Sequence, residues 1–287
     1  MTRPAWHDAA LAAALAQLPI GARRVGAGVA EGRHASRLPG TGLEFAQYRG
    51  YQPGDDLRHV DWKLLARSDR LYVREADAET AIPIRFLLDA TASMAHTEDG
   101  IVKFDAARRI VAALAECAVR QGDLPSLAVL SHVGGTVPPS RDRRQADRII
   151  DALDRAAPAG SFPARVETAI AATGGGRDGA LVLVTDWHDP DDVLRPALER
   201  SGLDCTIVVL RTPRERDVAY GEPVTLEDLE TGEQVVVDDD ARHVRNARLE
   251  VETEAARRGG IDVVMVDCQS PLAPALAGWL AGRVGRR

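Results

Sequence analysis

Lysine is almost missing from this chain: among its 36 basic residues only Lys63 and Lys103 are lysines, and the rest are arginines. We read this as coding bias in a GC-rich genome, and it leaves basic side chains that suit ion-pair networks better than loosely solvated charge. A basic face is missing as well. The formal net charge is −7, and phosphate neutralisation needs gathered cations, so no nucleic-acid partner is expected. Cysteines are few, namely Cys117, Cys205 and Cys268. An odd count with no C-x-x-C supports neither a disulfide frame nor a zinc knuckle, and each lies in an apolar pattern as a reduced core thiol does. No run approaches the roughly 18–20 apolar residues that span a bilayer. The amino terminus sets His7 and Asp8 before a short Ala-rich helix, not a cationic signal segment. The expected location is cytoplasmic, with membrane contact only through a partner. Glycine-rich segments at residues 32–42 and 174–176 lack G-x-G-x-x-G and G-K-[ST], so no nucleotide is expected.

What the chain does have is a globular composition, 45% apolar and 28% charged over 287 residues, enough for one large α/β domain with a smaller module. Its most informative stretch is residues 82–94, IPIRFLLDATASM. Residues 84–88 have the length and bulk of a strand buried on both faces, so Asp89 emerges where the strand leaves the sheet. Asp89, Thr91 and Ser93 then share one loop, and alternate spacing in a turn aims three oxygens at one point, which suits Mg²⁺. The same residue types are also ordinary helix N-caps. Two other chemistries fit poorly. An aspartyl-phosphate site of the D-x-D-x-T kind needs an acid where Thr91 stands, and a nucleophilic Ser93 needs a G-x-S-x-G elbow where Ala92 and Met94 stand.

Beyond residue 83, apolar strands and amphipathic helices alternate. Strands are expected at residues 84–89, 126–132, 180–185, 205–210 and 262–266, with a short edge at Thr136–Val137 after the Gly134–Gly135 turn. Helices are expected at 101–120, 141–156, 165–172, from the Asp189 cap to 200, 241–258 and 272–281. This alternation predicts a Rossmann-like, doubly wound, mostly parallel sheet with ligands at the strand carboxyl ends. Asp89 and Asp186 both fall there. Residues 21–80 and an insertion at about 211–240 break the rhythm, the latter with a turn at Thr231–Gly232, and together they suggest a small β-rich accessory module. The organisation expected is 1–80, an N-terminal helix and a signature segment, then 81–287, the sheet domain with its insertion.

That signature segment carries a family resemblance. Residues 40–75 include Gly42, Glu44, Phe45, Arg49, Tyr51, Pro53, Gly54, Asp55, Asp56, Arg58, Asp61, Trp62, Ala66 and Arg67. In that order they closely resemble the pattern of the bacterial proteins called domain of unknown function 58. The likeness continues through residues 89–94, 185–186 and 228–233. It implies a von Willebrand factor A-like domain, a fold that usually binds proteins and is often encoded beside a MoxR-type AAA+ ATPase, hence an adaptor or chaperone-like role toward a client protein. Many relatives carry two N-terminal membrane helices; here a soluble version is implied. The metal-ion-dependent adhesion site (MIDAS) of such domains is D-x-S-x-S, a later Thr and a later Asp. Asp89, Thr91 and Ser93 are similar to the first part, with Thr for Ser, and Asp186 to the last. Ala164 falls near the middle Thr, with Thr168 about a turn further on, inside a helix. A site without that ligand binds Mg²⁺ weakly through waters or is metal-free.

Two readings of the signature stand side by side. In the architectural one Tyr51, Pro53 and Gly54 make a turn, Trp62 packs, and Arg49, Arg58 and Arg67 pair with Asp55, Asp56 and Asp61; in the other these residues touch a partner. His59, His96, His132 and His188 lack metal-ligand spacing, and only His188 lies near the strand ends. The leading expectation for function is a non-catalytic adaptor, not an enzyme, that presents the Asp89 rim to a partner carboxylate with Mg²⁺ as bridge. The alternatives are a metal-dependent phosphoester hydrolase using Asp186 or His188, and a metal-free structural scaffold.

Overall fold

A computed structural model describes residues 3–20, 45–76, 81–131, 134–161, 166–187, 189, 192–216, 224–227, 234–237 and 239–284. The chain begins with α1 (Ala9–Leu15), β1 (Phe45–Gly50), α2 (Trp62–Ser68), β2 (Tyr72–Ala76), β3 (Pro83–Asp89), β4 (Thr97–Glu98), β5 (Ile101–Val102) and α3 (Lys103–Arg120). It continues through β6 (Leu124–Leu130), β7 (Thr136–Val137), α4 (Gln145–Arg155), α5 (Val166–Ala172), β8 (Ala180–Thr185), α6 (Leu194–Ser201) and β9 (Asp204–Arg211). Last come α7 (Pro213–Arg216), β10 (Val224–Glu227), β11 (Gln234–Val237), α8 (Asp239–Arg258), β12 (Asp262–Asp267) and α9 (Leu272–Val284).

Six strands form one sheet in the order β12-β9-β8-β3-β6-β7, parallel throughout except for the edge strand β7. Each central strand is apolar on both faces, which is why it reads in sequence as an unbroken hydrophobic run. On β3, Ile84, Phe86 and Leu88 join a core with α1, α3, α4 and α9. Leu87 points the other way, into a core with α5, α6 and α8. Val182 and Val184 of β8 follow the first set, Leu181 and Leu183 the second, as a period of two requires. Each fully buried Leu or Phe here contributes about 1.5–3 kcal/mol. Cys117, Cys205 and Cys268 are buried thiols outside any disulfide. No helix among the described residues is long and apolar enough to cross a membrane.

One polar residue interrupts the β3 run. Arg85 is buried, and its guanidinium donates to the carbonyls of Asp178, Gly175 and Gly176 at 2.8, 3.2 and 3.4 Å. The glycine run at 174–176 thus wraps a buried cation. Gly179 beside it has φ +106°, and a Cβ there would lie 2.2 Å from the Pro83 carbonyl oxygen, so the strand approach admits only glycine.

Residues 26–81 form one compact unit and the rest of the chain another. The sequence reading groups α1 with the signature segment; instead Leu11, Ala12 and Leu15 bury into the sheet domain beside α3 and α9. The single β-rich module expected from residues 21–80 and 211–240 is not one sheet. Among the described residues β1 pairs with β2 and β10 with β11, in two separate two-stranded sheets.

Candidate functional site

The sheet order fixes where chemistry can gather. The chain leaves β3 for β6 on one side and returns to β8 on the other, so the topological switch point lies between β3 and β8, where a crevice opens at the strand carboxyl ends. Asp89 is the last residue of β3, and Asp186 follows β8 directly. The structure therefore brings Asp89, Thr91, Ser93 and Asp186 together. Asp89 Oδ1 accepts from the Thr91 amide at 2.9 Å and from Thr91 Oγ1 at 2.8 Å. Thr91 Oγ1 lies 3.0 Å from Ser93 Oγ, which donates to Asp186 Oδ1 at 3.3 Å.

Three further residues complete the cluster. Thr185 Oγ1 donates to Asp89 Oδ2 at 2.6 Å while accepting from the Trp187 amide at 2.8 Å. Lys103, first residue of α3, donates from Nζ to Asp186 Oδ2 at 2.9 Å and to Glu215 Oε1 of α7 at 2.8 Å. The Glu215 carboxylate also accepts from the Thr212 amide at 2.9 Å. The arrangement is closed. Relative exposure is 0% for Asp89, 3% for Asp186 and 1% for Lys103, and Thr91 and Thr185 are buried too, leaving Ser93 half-open.

Burial, with the Asp186 charge adding to it, pushes the Asp89 carboxyl up to about 7 against the Thr185 and Thr91 hydrogen bonds that lower it. Burial alone would lower Lys103, but the Asp186 and Glu215 carboxylates outweigh it and hold the ammonium above the ordinary lysine value. Cys268 is pushed up to about 12, chiefly by burial, and is an inert thiol. Because the folded state holds the Asp89 proton more tightly than the unfolded chain, this group's contribution is full below an ordinary carboxylate's 3.8 and is lost as pH rises to about 7. Asp89→Asn should remove that downward slope of stability between these pH values. Urea titrations of both proteins across the range check it, and parallel slopes would contradict it.

The signature residues divide in a way the sequence only half reveals. Pro53 and Gly54 occupy the centre of a turn closed by the Asp55 amide on the Gln52 carbonyl at 3.0 Å, with Gly54 at φ +109°. The Tyr51 amide donates to the Leu71 carbonyl at 2.9 Å. Arg49 holds Asp55 with two bonds of 2.9 and 3.1 Å, which, with the Gln52 amide, keeps that carboxyl below its ordinary value. Arg58 pairs with Asp56 at 2.7 Å. Asp61 is not Arg67's partner. It caps α2 through the Lys63 and Leu64 amides at 2.9 and 3.0 Å and accepts from Tyr48 Oη at 2.7 Å, while Arg67 sits exposed in the last turn of α2. Trp62 does not pack as expected: it is 59% exposed, and Leu57 is 54% exposed.

A family model described as "Protein of unknown function DUF58" matches residues 47–260, more than half of the chain. The chain belongs to this DUF58 family. The match takes in the signature residues from Arg49 onward and every residue of the strand-end cluster. Uncharacterised proteins of Mycobacterium bovis and Mycobacterium tuberculosis are 29% identical over 238 residues, 81% of this chain and 75% of theirs. Among solved structures, BatB from Bacteroides thetaiotaomicron aligns with a TM-score of 0.47 at 14% identity, over 71% of this chain and 100% of that one. An aerotolerance-related membrane protein from Bacteroides fragilis aligns at 0.44 and 15%, over 72% and 100%.

Whether this DUF58 chain's residues fit the Mg²⁺ implied by the D-x-S-x-S resemblance turns on Lys103. Two carboxylates and two hydroxyls are donors of the right kind. Yet Asp186 already carries an ammonium on one oxygen, and Asp89 retains its proton up to about pH 7. A dication sharing Asp186 with Lys103 at about 5 Å would be repelled by about 7 kcal/mol at an effective dielectric of about 20. Among the described residues no three His, Cys, Asp or Glu groups converge as for a metal. Ala164 and His188 lie outside the described residues, and Thr168 is exposed on α5. The arrangement does not fit a divalent ion. Lys103 and Glu215 escape sequence reading, where the rarity of lysine was the one signal for Lys103, and Thr185 enters there only through the 185–186 likeness, without its role.

Proposed function

We propose that this DUF58 protein is a non-catalytic, cytoplasmic, protein-binding adaptor whose mostly parallel sheet domain is of the von Willebrand factor A type. Its expected partners are a MoxR-type AAA+ ATPase and a client protein. One observation carries the reading: in the signature unit Asp55, Asp56 and Asp61 are engaged internally, with Arg49, with Arg58 and as the α2 cap, while Leu57 and Trp62 stand exposed on consecutive turns. Trp is among the residue types most enriched in interface hot spots. Asp89 and Asp186 are buried away from a partner carboxylate, so binding through a bridging ion is not part of the proposal, nor is a hydrolase that would need an open base. Resemblance to relatives encoded beside MoxR-type ATPases supports that class of partner.

The test is binding of a purified MoxR-type ATPase to immobilised wild-type chain and to Trp62→Ala. An exposed substitution should change stability by no more than about 0.5 kcal/mol. Affinity should fall about tenfold or more, as hot-spot truncations do. Equal affinity for both proteins would remove Trp62 from the interface, and no binding by either would remove the ATPase.

A further inference from the structure

We propose that the Lys103 ammonium is the resident cation of the strand-end cluster, so that this rim holds its charge balance without a metal. The inference is independent of the adaptor reading. Its first support is position. Lys103 opens an 18-residue helix whose N-cap, Val102, offers no side-chain bond, and a cation at a helix N-terminus is opposed by the helix dipole. Something specific must hold it there. The second support is burial: a lysine that is 1% exposed is rare unless paired, and here the ammonium sits 2.9 Å from Asp186 and 2.8 Å from Glu215. These acids arrive from separate elements, the end of β8 and α7, so one side chain joins the sheet crevice to the segment that follows β9.

The consequence follows from subtraction. Without the ammonium, Asp186 and Glu215 lose the cation that bridges them. Lys103→Met keeps most of the side chain's length and apolar stem while deleting the charge. The variant is expected to melt about 5 °C or more below wild type in chelator. Wild type is expected to show one Tm in Mg²⁺, Mn²⁺ or chelator. Lys103→Arg, which retains a cation, should also be indifferent to metal.

Thermal unfolding of the full chain reads these shifts, and the electron paramagnetic resonance signal of free Mn²⁺ reads binding directly. An undiminished Mn²⁺ signal with equimolar wild type supports the proposal whether or not Lys103→Met folds. A diminished signal, a wild-type Tm raised by Mg²⁺, or a Lys103→Met Tm equal to wild type in chelator would overturn it.

Discussion

Asp186→Ala is expected to destabilise the protein by about 3–5 kcal/mol, because it leaves the buried Lys103 ammonium facing only Glu215. Combining it with Lys103→Met should cost clearly less than the sum of the two single changes. Breaking a buried pair leaves an uncompensated charge, whereas removing both charges into an apolar replacement is often near neutral. Urea denaturation of the four proteins gives the coupling. Strict additivity would mean that Asp186 and Lys103 do not depend on each other.

A second change of similar size lies at the opposite end of the sheet. Arg283 of α9 is buried, donates to Thr206 Oγ1 at 3.0 Å, bonds Asp204 and lies 3.6 Å from Asp262. Its guanidinium stands 5.6 Å from the centre of the Trp279 ring. One side chain therefore fastens α9 to β9 and β12. Arg283→Ala should cost about 3–5 kcal/mol, since both carboxylates lose their buried counter-ion. Arg58→Ala, which removes an exposed pair, should cost no more than about 1 kcal/mol. Denaturant midpoints of the two variants compare the effects, and equal losses would contradict this ranking.

The elements that the sequence makes legible are those whose local pattern and tertiary role agree. β8 occupies residues 180–185 as expected because every position is buried, whereas the turn expected at Thr231–Gly232 lies outside the described residues. The start of α3 differs. The apolar pattern predicts a helix from residue 101, but Ile101 and Val102 pair with Glu98 and Thr97 across Asp99–Gly100, both at positive φ. An Asp-Gly pair is the sequence signal for such a turn. That turn sets the helix start at Lys103 and so delivers the ammonium to the rim. Asp89 and Asp186 are legible because strand ends are. Lys103 and Glu215 are not, since their contacts span 83 and 112 residues of chain. Trp62 misleads for another reason: large aromatics pack in most settings, and only the fold reveals that its helix turns it outward.

The most direct test of the closed rim is anomalous diffraction from a crystal of the wild-type protein soaked in Mn²⁺. The account predicts Lys103 Nζ within hydrogen-bond distance of both Asp186 and Glu215, and no anomalous peak beside Asp89, Thr91 and Ser93. A Mn²⁺ peak bounded by those residues, with the lysine turned away from Asp186, would contradict it.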